Sequence, residues 1–148
     1  MDAMGTSPDP PLVSVVTPSL NSGEFIEETI RSVLSQSYPR LEYLVMDGGS
    51  TDGTLEIVQR FGGHLQWVSE PDLSAADAIN RGIARMKGSI VAWLSADDTY
   101  LPGAVSAAVQ GFRDYPDAAV VYGGGIWVDR QGNPLGQYPA GEADNDSL

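Results

Sequence analysis

Apolar positions along this chain fall into two alternating patterns. Leu12 to Thr17, Leu41 to Met46, Leu65 to Val68, Ile90 to Leu94 and Ala119 to Tyr122 are short, mainly apolar runs of strand length, bounded by Pro, Gly or polar residues. Between them, apolar residues recur at helical spacing: Phe25, Ile26, Ile30, Val33 and Leu34, then Leu55, Val58 and Phe61. Ala76, Ile79, Ile83 and Met86 form a third such set, and Val105, Ala108, Val109 and Phe112 a fourth. The punctuation agrees. Glu24, Glu27 and Glu28 suit the positive end of a helix and Tyr38-Pro39 its stop, while Gly62-Gly63 ends the second helix. Lys87-Gly88 closes the third, and Pro102 opens the fourth at a first helical position. Ile126 to Asp129, a turn at Arg130 to Asn133, and a return through Leu135 to Tyr138 predict a hairpin. The order is therefore βαβαβαβαβ with a C-terminal β-hairpin, which implies an α/β fold: a mainly parallel open sheet with helices on both faces. Ile90 to Leu94 reads as a strand buried on both faces. Trp67, Trp93 and Trp127 read as core residues. Residues 1–11 read as a disordered leader, 12–140 as one domain and 141–148 as an acidic tail.

Polar residues collect where these strands end: Thr17, Asp47, Ser69-Glu70 and Asp97-Asp98. In a parallel sheet those ends share one edge, the edge at which open α/β sheets bind ligands. The adjacent carboxylates of Asp97 and Asp98 repel unless a cation or a set of donors holds them. A hard divalent ion such as Mg²⁺ or Mn²⁺ is one remedy, since it takes carboxylate oxygens and bridges to phosphates. The competing explanation is a helix N-cap ahead of Leu101-Pro102. Asp47, followed by Gly48-Gly49, opens a loop that a ligand can approach backbone-first, with a carboxylate able to accept hydrogen bonds from a base or a ribose. Turn and cap chemistry is the alternative for both Asp47 and Asp52. His64, between Gly63 and Leu65, reads as a solvated loop residue.

Several classes are excluded. No G-x-G-x-x-G follows the first strand and no G-x-x-x-x-G-K-[ST] occurs anywhere, which removes the dinucleotide fingerprint and the P-loop. A receiver domain would want a lysine after a late strand, where Gly123-Gly124-Gly125 stands instead. A nucleotidyltransferase would want a Gly- and Arg/Lys-rich loop after the first strand. The absence of cysteine removes disulfides and thiolate chemistry. With 20 acidic against 8 basic residues, the net charge of −12 argues against nucleic acid as a partner. It also means that a phosphate-bearing ligand needs a metal or helix N-termini to neutralise it. No apolar run approaches the roughly 18 residues of a membrane span. A cytoplasmic protein is expected, with peripheral attachment at the inner face of the membrane as the variant.

With these residues assembled, the chain from about Leu12 to Asp129 resembles the family 2 glycosyltransferases of GT-A fold, closest to the branch that builds bacterial surface polysaccharides. The resemblance is carried by Val13-Ser14-Val15-Val16-Thr17-Pro18-Ser19-Leu20-Asn21 and by Ser32-Val33-Leu34-Ser35-Gln36-Ser37-Tyr38-Pro39. Asp47-Gly48-Gly49-Ser50-Thr51-Asp52-Gly53-Thr54, Asp77-Ala78-Ile79-Asn80-Arg81-Gly82 and Leu94-Ser95-Ala96-Asp97-Asp98-Thr99 complete it. It implies that Thr17, Pro18, Asp47 and Asp77 line a nucleotide pocket, that Asp97 reaches the ribose or sugar, and that Asp98 binds Mg²⁺ or Mn²⁺ on the diphosphate. It implies an inverting transfer of a sugar from a nucleotide-diphosphate donor, a UDP-sugar foremost, to a hydroxyl on a glycan or lipid-linked acceptor. The chain departs from the pattern at Leu73-Ser74, where the family carries a basic residue and glycine, and at Gly123-Gly124-Gly125, where relatives carry an Asp. The acceptor half, with the general base, is expected to lie outside this chain. The alternative is a non-catalytic or truncated nucleotide-sugar-binding module of the same fold, prone to homo-oligomerise through an uncovered apolar patch.

Overall fold

The computed structural model describes residues 9–139. The expected leader, apart from residues 9–11, and the expected acidic tail lie outside that range. By its internal contacts the chain divides into two compact units, Met1–Ser106 and Ala107–Leu148.

The first unit is built on β1 (Val13–Ser19), α1 (Ile26–Leu34), β2 (Leu41–Asp47), α2 (Thr54–Arg60), β3 (Gln66–Ser69), α3 (Ala75–Ile83) and β4 (Ile90–Trp93). The four strands pair in the order β3-β2-β1-β4, all parallel. The chain steps outward from β1 to β2 to β3 and then returns to the other side of β1. The point of reversal lies between β1 and β4, and a crevice forms outside the carboxyl ends of strands at such a point. The two inner strands carry the core: Val15, Val16 and Val45 have no exposed surface and Leu44 only 1%.

One face of the sheet is covered by α3, and its packing corrects the expected pattern. Of the expected set, Ala76 and Ile83 are exposed and Ile79 is half-buried, while Met86, past the end of the helix, packs against the core. The buried stripe is Ala78 and Gly82, with Ala78 closed against Val16, Leu44 and Met46. A Cβ on Gly82 would stand 2.6 Å from Val16 Cγ1 and 3.1 Å from Met46 Cγ. Small residues let this helix approach the sheet more closely than a leucine-type seam allows, and the larger side chains flank the contact. The helix also ends at Ile83, short of Lys87-Gly88. Gly88 serves elsewhere, pressed so close to β1 that a Cβ would lie 2.3 Å from Ser14 Oγ and 2.8 Å from the Leu12 carbonyl oxygen.

Three further expectations are corrected. Strand β1 runs through Pro18 to Ser19, and pairing with β4 stops at Val16, so the proline's missing N–H falls where β1 has a neighbour on one side only. Strand β4 is the edge of the described sheet: Val91 is 41% and Trp93 63% exposed, so it is not buried on both faces. The three tryptophans are likewise exposed, because each lies on an edge strand or on the hairpin.

In the second unit, α4 (Ala104–Asp114), which begins in the first, leads to an antiparallel hairpin of β5 (Gly125–Val128) and β6 (Pro134–Tyr138). Val105 and Val109 of α4 are buried as its spacing predicts. The helix begins two residues after Pro102, so that proline is not its first residue. Ala119 to Tyr122 belongs to no described sheet. Val121 lies against the helix instead, where a Cβ on Gly111 would meet its Cγ1 at 2.9 Å, and Val120 is exposed. In the hairpin turn, the Asp129 carboxylate accepts the Gln131 and Asn133 N–H groups at 2.9 and 2.8 Å.

Candidate functional site

The turn that carries Asp97 and Asp98 begins where β4 ends. Leu94 N–H still donates to the Val16 carbonyl at 3.0 Å, and Asp98 N–H closes the turn on the Ser95 carbonyl at 3.1 Å. The turn is then pinned to α1. The buried Thr29 hydroxyl lies 2.9 Å from the Ala96 carbonyl oxygen and 2.8 Å from that of Asp98. Tyr100 N–H donates to Ser32 Oγ at 3.0 Å, and Gln36 bonds the Leu101 carbonyl at 3.0 Å and the Val105 N–H at 3.2 Å. The backbone between 96 and 105 is thus fixed while both carboxylates stand exposed. Desolvation, with the neighbouring Asp97 charge, raises the Asp98 pKa above the ordinary carboxylate value. Among the described residues neither carboxylate is hydrogen-bonded, and α4 starts too far along the chain for the pair to cap it. The cap explanation therefore gives way.

The donor set fits a hard divalent cation whose shell is completed from outside. The described residues hold no cluster of three or more metal-binding side chains. Mg²⁺ and its like are ordinarily held by one or two carboxylates together with water and substrate phosphates, and an unpaired carboxylate pair at the carboxyl edge of the sheet offers that many.

Asp47, at the end of β2, behaves differently. It is 1% exposed, and both of its oxygens are occupied. Oδ2 accepts the N–H groups of Gly49 and Ser50 at 3.2 and 3.1 Å and the Ser69 hydroxyl at 2.6 Å, while Oδ1 accepts the Ser50 hydroxyl. These bonds fold the backbone after Asp47 into a turn in which Gly49 has φ +91°. The side chain holds the loop, and the loop presents its backbone. Asp52 also plays its turn part: it accepts Thr54 N–H at 2.9 Å, the Thr54 hydroxyl at 2.5 Å and Gly23 N–H at 3.0 Å. Those bonds from Thr54, chiefly from its hydroxyl, lower the Asp52 pKa.

Thr17 is fully buried with its Oγ1 2.9 Å from the Tyr43 hydroxyl, whose own pKa burial pushes well up. Its side chain faces the interior of the sheet. Pro18 and Ser19 are the β1 residues that register with Met46 and Asp47, which sets the end of β1 beside the Asp47 loop. The Ser19 hydroxyl is buried without a partner among the described residues. Asp77 belongs to the first turn of α3, where the N-cap Ser74 Oγ accepts its N–H at 3.2 Å and its carboxylate reaches back to accept the N–H of Leu73, one residue before the cap, at 3.2 Å. It also meets Arg81 at 3.5 Å. Arg81 donates to the Pro71 carbonyl at 3.1 Å and pairs with Glu70, which Arg85 reaches at 3.0 Å. These half-exposed pairs add little stability, but they fix the course of the loop from Glu70 to Leu73. Glu70 N–H in turn donates to the Asp47 carbonyl at 2.9 Å.

The structure brings Pro18, Asp47, Asp97 and Asp98 to one edge of the sheet and leaves Asp77 on the helix beside it. Sequence reasoning missed Thr29, Ser50 and Arg81. Thr29 has partners only 67 and 69 positions away, whereas Ser50, in an Asp-x-x-Ser turn, and Arg81, four residues after Asp77, each carried a local signal as well as a distant partner.

Comparison with known sequences assigns the family: the profile of Glycosyl transferase family 2 matches residues 14–136. The chain belongs to glycosyltransferase family 2. A Bacillus subtilis (strain 168) protein named for teichuronic acid biosynthesis, TuaG, is 35% identical over 133 residues, covering 86% of this chain and 52% of its own length. The mannosyltransferase PcManGT from Pyrobaculum calidifontis, solved with GDP-Man and Mn²⁺, superposes with a TM-score of 0.66 at 30% identity. The match covers 83% of this family 2 chain and 38% of PcManGT. Residues 1–349 of S. aureus TarS, solved with UDP, give a TM-score of 0.58 at 26% identity over 70% of this chain and 32% of that one. The fold is GT-A, as the resemblance implied. The chain spans about half of TuaG, at 52%, and less of the two proteins of known structure.

Proposed function

We propose that residues 12–140 form the donor-binding domain of a glycosyltransferase that moves a sugar from a nucleotide diphosphate to a hydroxyl of a glycan or lipid-linked acceptor. The observation that carries this reading is the unpaired Asp97-Asp98 turn, anchored to α1 and set at the switch point beside the Asp47 loop. Family membership and the nucleotide-bound relatives support it. The Pro18–Ser19 end of β1 and the backbone of the Asp47 loop take the nucleoside, Asp97 accepts from ribose or sugar hydroxyls, and Asp98 holds Mg²⁺ or Mn²⁺ against the diphosphate. When bound, the metal supplies charge stabilisation to the departing diphosphate. It also resolves the charge problem of an acidic chain with a polyanionic ligand. Thr17 acts through Tyr43 to set the end of β1, and Asp77 acts through the Leu73 and Arg81 contacts to set the loop before α3.

In the transfer, the bond between the anomeric carbon and the diphosphate oxygen breaks, and the acceptor oxygen bonds to that carbon with inversion. The acceptor proton passes to a general base as the new bond forms. UDP is the first candidate nucleotide and GDP the second. The protein acts in the cytoplasm, a setting that the absence of cysteine suits. No helix among the described residues is long and apolar enough to cross a membrane. Calorimetric titration of UDP and GDP, with and without Mn²⁺, into the wild type and Asp98→Ala tests the reading. Metal-dependent binding lost in the variant is expected. A folded wild type that binds neither nucleotide would refute it.

A further inference from the structure

We infer that Asn21 is a positioning residue for the nucleotide edge of the sheet, its carboxamide holding the loop after β2 at Thr51 next to the backbone link that runs through Ser50 to Asp47. The inference rests on the donor-binding reading above and names a part of that site. Asn21 follows β1 and has φ +51°, the one positive φ among the described residues other than glycine. Asparagine is among the few side chains that accept this left-handed backbone at modest cost.

From that conformation Asn21 grips two consecutive residues of the loop after β2. Its N–H donates to Ser50 Oγ at 2.8 Å, and its side-chain Oδ1 accepts Thr51 N–H at 2.9 Å. The Ser50 hydroxyl, accepting from Asn21, itself donates to Asp47 Oδ1. The resulting chain runs from backbone amide to hydroxyl to carboxylate, and each bond polarises the next. Two neighbours extend the clasp. Ser22 N–H donates to Thr54 Oγ1 at 2.8 Å, and Gly23 N–H to Asp52 Oδ2 at 3.0 Å. Three successive residues after β1 therefore hold the loop after β2 at Ser50, Thr51, Asp52 and Thr54.

Without the clasp, the turn around Gly49 would sample other conformations, and a ligand would have to select the competent one. Apparent affinity falls in proportion to the competent fraction. With the clasp, the edge is ordered before the nucleotide arrives, and less freedom is lost on binding.

The test compares the full chain with Asn21→Gly and Asn21→Asp. Glycine accepts the positive φ without strain, so that variant removes the carboxamide alone. Aspartate keeps an acceptor. In the ligand-free protein, exchange of the Thr51 amide is expected to speed up about tenfold in Asn21→Gly and to return toward the wild-type rate in Asn21→Asp. In parallel, the Kd for UDP with Mn²⁺ is expected to weaken roughly five- to tenfold in Asn21→Gly, at an unchanged unfolding midpoint. Unchanged Thr51 exchange in Asn21→Gly would overturn the carboxamide's part in the clasp, and with it the inference, whatever UDP does. Faster exchange with an unchanged Kd would overturn the positioning role. A wild type that binds neither UDP nor GDP would instead overturn the donor-site reading, and with it the ligand half of this inference.

Discussion

Replacing Gly82 by alanine adds one methyl group where α3 presses closely on the sheet. The new Cβ would lie 2.6 Å from Val16 Cγ1, 3.2 Å from Val16 Cγ2 and 3.1 Å from Met46 Cγ. Ordinary van der Waals contact begins at 3.4 Å, so the valine methyl or the helix must give way by about 0.8 Å. Val16 has no exposed surface and packs against Leu44, Met46 and Ala78, and its branched Cβ leaves it few rotamers. The strain of overfilling such a contact is about 1–3 kcal/mol. Against it stands the gain from replacing a helical glycine, at most about 1 kcal/mol and smaller at the penultimate residue of α3. A net loss of about 1–2 kcal/mol follows. In urea, with a slope of roughly 1–3 kcal/mol/M for a small protein, the midpoint falls by on the order of 0.5–1 M. Gly63→Ala is the control: nothing lies within 4 Å of its Cβ position and its φ is not positive. That change should be neutral or slightly stabilising. Equal or greater stability of Gly82→Ala than of wild type would refute the reasoning that small residues set the approach of α3.

Thr29→Val keeps the volume of a fully buried side chain but takes the hydroxyl from the Ala96 and Asp98 carbonyls. It should lower stability by about 1–2 kcal/mol and weaken Mn²⁺-dependent UDP binding, both read from one preparation by thermal denaturation and titration calorimetry. Ser19→Ala removes a buried hydroxyl that has no partner among the described residues, so chemical denaturation should find no loss, and a gain of up to about 1 kcal/mol. A clear loss would mean that the hydroxyl is bonded after all. For Glu42, burial opposes ionisation, but hydrogen bonds from Ser14 (2.5 Å), Lys87 N–H (2.6 Å) and Gly88 N–H (2.9 Å) outweigh it and lower the pKa. A depressed carboxylate stabilises the fold above its unfolded pKa and loses that contribution as pH falls through the folded value. Glu42→Gln should therefore be less stable at neutral pH and should lose less on acidification below about pH 4.5 than wild type; parallel acid slopes would contradict this.

Much of the fold was legible because elements are local. Ile26, Ile30 and Val33 announce α1 by spacing alone, and alternating strands and helices dictate a parallel sheet. What failed was partner-dependent. The heptad of Ala76, Ile79, Ile83 and Met86 marks a helix correctly, but which stripe faces the sheet depends on how near the sheet comes, and Gly82 decides that. The apolar run of β4 looks the same in a central strand as at an edge. Ala119 to Tyr122 has the composition of a strand, yet composition does not supply a neighbour to pair with. In the site, Asp97-Asp98 stood out because two adjacent acids demand an explanation. Asp47 stood out too, but the local turn chemistry weighed as its alternative is what occupies its oxygens. Thr29 was invisible, since its two partners lie 67 and 69 positions away.

The segment from Ala96 to Val105 rests on one polar row of the α1 region: Thr29, Ser32 and Gln36, spaced as successive turns of a helix. Such a row acts as a ruler. The row bonds only backbone atoms of the segment, so side chains at Asp97 and Asp98 can be exchanged without removing those bonds, whereas one inserted or deleted residue would put several of them out of step at once. For the fold, then, the acidic turn is bound in length, while its two carboxylates answer only to the site.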